Sequence, residues 1–242
     1  MPTRPDQRGP AELRSAGFQN GFQAHPDGSV LVHFGGTRVL CAVNAVSGVP
    51  RWMAEQKKGS GWLTAEYAML PGATDGRSGR ESGRSGPSGR SQEIQRLVGR
   101  SLRAVVDMAK LGERTLYVDC DVIDADGGTR CAAITGAYVA LELALRKLQA
   151  AGKLTEWPLR DQVAAVSVGL VDGEPRLDLC YLEDSAAEVD MNVVMTGAGR
   201  FVEVQGTAEG APFSQEQMNQ LLDLARLGLG QIFDLQRQAV AR

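Results

Sequence analysis

The chain has 242 residues, 43% of them hydrophobic, and a formal net charge of −3. That composition supports a substantial core, while the net acidity excludes a generic polyanion binder, so any nucleic-acid contact must be local. No run approaches the ~20 apolar residues that span a bilayer.

Residues 1–20 are polar, rich in Pro and Arg, and lack clear periodicity. Met1 to Gly9 carries no apolar stretch of the kind a secretory signal needs, so a cytoplasmic location is the expectation. Residues 28–46 alternate enough to predict a two-stranded hairpin across Gly35-Gly36. Residues 47–62 read as a loop, and Trp62 to Leu70 as a strand stopped by Pro71-Gly72. Gly72 to Gly89 is nearly all Gly, Ser, Arg and Pro and reads as a long mobile loop.

A helix is predicted from about Ser91 to Lys110, with Ile94, Leu97, Val98, Leu102, Val105 and Val106 at three- and four-residue spacing. Thr115 to Ile123 is a strand, Gly127-Gly128 a turn, and Cys131 to Ala151 a long helix stopped by Gly152. Val163 to Val171 is a buried strand, turned by Asp172 to Pro175 into a second strand, Arg176 to Leu182. Val189 to Thr196 and Arg200 to Gln205 predict a hairpin across Gly197 to Gly199. Ser214 to Gln217 opens the last helix with a capping-box pattern. Strands, helix, strands, helix describe one α+β (mixed α/β) domain over residues 1–242, with helices packed on mixed sheets.

Four cysteines, Cys41, Cys120, Cys131 and Cys180, form no CxxC pair, which points to reduced, buried thiols. His25 and His33 read as structural.

Three stretches carry chemistry. A strand, Gly127-Gly128-Thr129-Arg130 and then a helix leave free N–H groups at a helix start, where the dipole favours an anion. Thr129 adds a hydroxyl and Arg130 a planar fork of donors that matches phosphate. The bland alternative is a turn with a cap. Gly35-Gly36-Thr37-Arg38 repeats the tetrapeptide between two strands, so context, not the tetrapeptide, carries this reading.

From Arg77 to Arg103 seven arginines face two acids, Glu81 and Glu93. Arg77, Arg80, Arg84 and Arg90 lie in or at the end of the loop; Arg96, Arg100 and Arg103 share a side of the helix. The run reads either as a solvated helix face or as a site for RNA phosphates. Asp184 and Asp190 flank a short loop between strand candidates. Such a pair suits Mg²⁺ or acid/base work, or is solvated at strand ends. Asp119, Asp121, Asp124 and Asp126 lack the pattern of an EF-hand and read as strand-face and turn carboxylates.

Several long runs resemble the ribonuclease PH family. They include Gly61 to Tyr67 with Met69-Leu70-Pro71, Ser88-Gly89-Arg90 with Glu93 to Leu97, and Asp119 to Val122 into Ala125 to Arg130. Glu183-Asp184-Ser185 through Gly197, and Gly199 to Thr207, complete the set. The resemblance covers nearly the whole chain. It implies the ribonuclease PH-like fold and a phosphate-dependent 3′-to-5′ exoribonuclease, a nucleotidyltransferase that trims tRNA precursors and other RNA 3′ ends and releases nucleoside 5′-diphosphates reversibly.

It further implies phosphate contacts from Arg90, Gly128, Thr129 and Arg130, with inorganic phosphate as co-substrate. Asp184 and Asp190 become catalytic residues holding Mg²⁺, and Arg77, Arg80, Arg84, Arg96 and Arg100 become RNA contacts. The implied assembly is a homohexamer, a trimer of dimers, with no membrane or DNA partner. The chain departs from the family at Gly72, where Arg usually follows Met-Leu-Pro. Arg77, Arg80 and Arg84 are the candidates to supply that charge. Two rivals are a non-catalytic RNA-binding ring subunit and a Mg²⁺-dependent hydrolytic nuclease.

Overall fold

The computed structural model describes residues 4–56, 59–81 and 86–241. Two sheets enclose one helix. The first holds β1 (Ala16–Asn20), β2 (Gly28–Phe34), β3 (Thr37–Ser47), β4 (Trp62–Met69) and β5 (Arg114–Asp124), in the order β1-β2-β3-β5-β4. The short α1 (Arg51–Ala54) lies between β3 and β4. Pairing is antiparallel except between β4 and β5. Parallel neighbours need a crossover, and α2 (Gly89–Val105) with α3 (Met108–Leu111) supplies it.

The second sheet is antiparallel and runs β7-β6-β8-β9, from β6 (Val163–Val171), β7 (Glu174–Leu177), β8 (Val189–Thr196) and β9 (Phe201–Ala208). Between the sheets runs α4 (Thr129–Ala150), in contact with β2, β3 and β6. It is apolar nearly all round. Ala133, Ile134, Ala137, Leu141, Ala144 and Leu145 are all fully buried, as a helix without a polar face must be. Each buried Leu or Ile contributes roughly 1.5–3 kcal/mol. The C-terminal α6 (Gln215–Val240) covers β6 and β7 and reaches β1. Ser214 caps it, and Gln217 returns the bond to the Ser214 N–H at 2.8 Å. One hydrophobic core joins both sheets. Among the described residues no helix is long and apolar enough to cross a membrane.

The expected α+β architecture with mixed sheets is what forms. Four local expectations change. Ala16 to Asn20 is a strand, completed by the edge of β2 rather than by any pattern of its own. Residues 51–54 form a helical turn inside the expected loop. The helix expected to run to Lys110 stops at Val105. Val106 is extended and bridges Leu159, and Asp107 then caps the separate turn α3. The strand expected to reach Leu182 ends at Leu177. Asp178 takes φ +54°, and the Glu183 carboxylate accepts from the Cys180 N–H at 3.2 Å, curling the chain into α5 (Tyr181–Asp184).

Candidate functional site

The site grows from the turn before α4. Gly127 and Gly128 take φ values of +73° and +67°, which L-residues with side chains rarely adopt. A Cβ on Gly127 would also lie 2.6 Å from the Leu179 carbonyl oxygen, so the turn packs directly on the backbone that leads into α5. Gly128 is the N-cap of α4 and has no side chain to satisfy the first N–H groups, which leaves them for an outside acceptor.

Thr37 braces the turn from behind. Its hydroxyl donates to the Gly127 carbonyl at 2.6 Å and accepts from the Asp126 N–H at 2.9 Å. The repeated Gly-Gly-Thr-Arg stretch does form a hairpin turn without a helix, yet one of its residues supports the other copy.

Thr129 is buried, and its hydroxyl shares a 2.8 Å hydrogen bond with the Tyr67 hydroxyl of β4. Burial raises the Tyr67 pKa, against the hydrogen bond shared with Thr129 and the charges of Arg90 and Arg130, so the phenol stays neutral. Arg130 donates to the Gln205 side-chain oxygen at 2.5 Å and lies 3.5 Å from the Glu93 carboxylate. The Gln205 amide donates to the same Glu93 oxygen at 3.0 Å. The Cys131 thiol, pushed up to about 12 by burial, keeps its proton and donates to Asn192 at 3.3 Å. In the β8–β9 register Asn192 stands opposite Gln205 and Asp190 opposite Thr207. The start of α4 therefore meets the sheet face that carries Asp190.

Asp184 closes the helical turn α5 instead of ending a strand, as its spacing suggested. Its side chain reaches the surface, yet its carboxyl is held above the ordinary range. Partial desolvation is the main cause and the negative charge of Asp190 the second, with Arg130, Arg90 and Arg14 pulling the other way. Asp190, Arg130 and Arg90 thus all lie within electrostatic reach of Asp184. Arg90 stands on the first turn of α2, which Ser88 caps through a 3.2 Å bond from the Ser91 N–H.

The other arginines are spread out. Arg77 and Arg80 are exposed on the loop after β4, and Arg84 lies outside the described residues. Arg96 is exposed on α2, while Arg100 pairs with Glu203 of β9. Arg103 turns away to cover the Trp62 ring at 5.1 Å and to donate to the Leu63 carbonyl at 3.0 Å.

Sequence reasoning assigned no part to Tyr67, Gln205, Asn192 or Arg14. The two-residue alternation of β4 is the signal that could have placed Tyr67 on the inner face, toward the start of α4.

A cavity of about 690 Å³ opens on β4 and β5, lined in part by Thr64, Glu66, Gln95, Asp119 and Asp121. Burial and mutual repulsion raise the Asp119 carboxyl, and burial with the Glu66 charge raises that of Asp121. With Glu81 the lining holds four carboxylates, which disfavour an anion there, whereas the α4 turn offers free N–H groups. Asp119 and Asp121 are strand-face carboxylates, as expected. Asp124 ends β5 in a pair with Arg38, and Asp126 accepts from the Tyr181 N–H at 3.2 Å within the turn. All four cysteines are free and buried.

Residues 12–146 match the model of the 3′ exoribonuclease family, domain 1, and residues 161–227 match that of domain 2 of the same family. Among similar solved structures is Rrp46 of rice (Oryza sativa), at 18% identity over 99% of this chain and 100% of that one, with a TM-score of 0.81. The Archaeoglobus fulgidus exosome with RNA bound to the active site shares 22% identity over 96% of this chain and 91% of that one, at a TM-score of 0.76. An archaeal exosome core shares 23% identity with the same coverage, 96% and 91%, at a TM-score of 0.75. At these identities the likeness establishes the fold.

Proposed function

The chain belongs to the 3′ exoribonuclease family, and from that premise we propose that it is a phosphorolytic exoribonuclease of the ribonuclease PH type, acting on tRNA precursors and other RNA 3′ ends in the cytoplasm. The observation that carries the proposal is the meeting of an open helix N-terminus, Arg130 and Arg90 with the carboxylates of Asp184 and Asp190.

Inorganic phosphate sits on the Gly128 and Thr129 N–H groups, the Thr129 hydroxyl and the forks of Arg90 and Arg130. One of its oxygens forms a bond to the phosphorus of the terminal nucleotide. The bond from that phosphorus to the 3′ oxygen of the preceding nucleotide breaks. A nucleoside 5′-diphosphate leaves, and the shortened RNA takes a proton on its 3′ oxygen. That proton comes from solvent, passed on by whichever of Asp184 and Asp190 faces the leaving oxygen. The arginines and helix N–H groups hold the attacking group in line and offset its charge, which is most of what phosphoryl transfer needs.

Two neighbouring carboxylates fit Mg²⁺, which binds through one or two carboxylates plus substrate phosphates and keeps several waters. Asp184 and Asp190 would hold it, and it would supply charge stabilisation to the phosphoryl oxygens. Among the described residues no group of three His, Cys, Asp or Glu side chains is placed to hold a metal ion. Arg77, Arg80, Arg84, Arg96 and Arg100 serve RNA phosphates, and a homohexameric ring would bring such loops together around one channel.

The test is product identity. A tRNA with extra 3′ nucleotides is incubated with Mg²⁺, with and without inorganic phosphate. Nucleoside diphosphates released only with phosphate support the proposal. Monophosphates released without it would make the protein a hydrolase. Bound RNA with no release would make it a ring subunit that only binds.

A further inference from the structure

Arg14 connects the two halves of the site. It is 5% exposed, and Asp178, its main partner, is 2% exposed. The Arg14 guanidinium donates to both Asp178 oxygens, at 3.0 and 2.7 Å, and the Arg14 backbone N–H donates to the same carboxylate at 2.8 Å. Its Nη1 donates to the Asp126 carbonyl, and Nη2, which also serves Asp178, donates to the Gly127 carbonyl at 3.4 Å. Asp126 and Gly127 form the turn that opens α4, while Asp178 begins the segment that carries Asp184. A second tie runs in parallel, from the Tyr181 N–H to the Asp126 carboxylate at 3.2 Å.

That segment is itself anchored. Glu183, next to Asp184, accepts two bonds from buried Arg4 at 2.7 and 2.8 Å and one from Arg176 at 3.3 Å. An N-terminal stretch without sequence periodicity thus reaches across to brace both loops.

We infer that Arg14 is a positioning residue that fixes the phosphate turn and the Asp184 segment relative to each other. The inference rests on the phosphate reading of the α4 turn. Its hydrogen bonds go to the turn carbonyls and to Asp178, and it acts through them. Arg14 spends its fork on two carbonyls of the turn, on the Asp178 carboxylate beyond it and, at 3.7 Å, on the turn's own Asp126 carboxylate, so one guanidinium joins both segments. Lysine keeps the charge and loses the fork.

The experiment compares wild type, Arg14→Lys and the double variant Arg14→Met/Asp178→Leu. The double variant replaces a buried ion pair with apolar groups, a change that often preserves stability. Phosphate binding is read by phosphorus NMR, and the KM for phosphate and kcat by steady-state assay, each beside a melting curve. In both variants the phosphate Kd and KM are expected to rise about tenfold or more, as displaced positioning groups cost up to two orders of magnitude, while the folded fraction is retained.

Unchanged phosphate affinity and KM in a folded variant would overturn the inference. So would a fall in kcat that only tracks the unfolded fraction. Where the double variant does not fold, Arg14→Lys decides. Wild-type protein that binds phosphate but releases no nucleoside diphosphate would overturn the proposed activity and leave the Arg14 comparison standing. Wild-type protein that binds no phosphate would overturn both.

Discussion

The hydroxyls of Tyr67 and Thr129 lie 2.8 Å apart, one from the middle of a strand and the other from the first turn of the central helix. The bond fixes the Thr129 hydroxyl at the start of α4, where phosphate is proposed to sit. Tyr67→Phe removes it and leaves a buried hydroxyl to find another partner. A net loss of about 1 kcal/mol is expected, seen as a fall of about 2–4 °C in Tm for a chain of this size. The phosphate KM should rise with it, while the KM for RNA stays put. A variant that lost RNA affinity instead would separate Tyr67 from the phosphate cradle.

Arg130 offers one end of its fork to Gln205 and so keeps a fixed direction. Arg130→Ala should cut kcat/KM for phosphate by about 10²–10³, the scale of losing one oriented charge-assisted contact at a developing anion. Arg130→Lys should recover only part of this, because an ammonium cannot hold Gln205 and phosphate in one plane. An unaltered phosphate dependence in Arg130→Ala would remove the residue from the site.

The Asp184 carboxyl titrates above its ordinary value because of burial and Asp190, against the pull of Arg130, Arg90 and Arg14. Carbon NMR should therefore show its titration moving down in Asp190→Asn and up in Arg130→Met. The folded carboxyl binds its proton more tightly than the unfolded one. Stability thus falls as pH rises from the ordinary carboxylate range through the folded value, and Asp190→Asn should flatten that slope. A downward move in Arg130→Met would contradict the arrangement.

The two turn glycines should respond unequally to alanine. Both have positive φ, which costs a side-chain-bearing residue roughly 1–2 kcal/mol. At Gly128 the added Cβ lies 3.1 Å from the Arg14 guanidinium, a tight contact that needs only a small displacement. At Gly127 it meets backbone at 2.6 Å, which cannot shift. Gly127→Ala should therefore lower Tm clearly more than Gly128→Ala, while Gly128→Ala should chiefly weaken phosphate binding. Equal melting curves would refute the tight packing of the turn on Leu179.

Arg77 and Arg80 are exposed on their loop, whereas Arg100 is already engaged by Glu203. If the loop arginines meet RNA phosphates, Arg77→Ser/Arg80→Ser should lower the slope of log affinity against log salt by about 1.4, at ~0.7 per phosphate on a single strand. Arg100→Ala should change it less, and phosphate KM should not move in either. A slope unchanged by the double variant would leave the loop without an RNA contact.

Much of this was legible in the chain. The long helix 129–150 shows as an unbroken apolar run behind Gly-Gly, and β6 as nine apolar or small residues between turns. The capping residues of α6 and the hairpin across Gly35-Gly36 are local signals, and local signals survive in sequence. Gly128, Thr129 and Arg130 were readable because strand, turn and helix follow one another directly.

Other features had no local signal. Asp178 to Asp184 carries apolar residues that suit a strand, yet a positive φ and the Glu183 cap curl it into α5. Val106 leaves its helix because Leu159 is there to pair with it. Arg4 and Arg14 look like surface residues on a polar tail. They are buried only because Glu183 and Asp178, distant in sequence, offset the cost of removing their charges from water. By itself the sequence determined most of the long elements, the glycine turn before α4 and the residues resembling a phosphate-using family, since hydrophobic period, glycine and motif are local properties. Only the tertiary structure decided that Thr37 and Arg14 hold that turn, that Tyr67 and Gln205 aim its side chains, and that Asp184 feels Asp190. Those depend on which distant groups desolvate and charge one another once the two sheets close on α4.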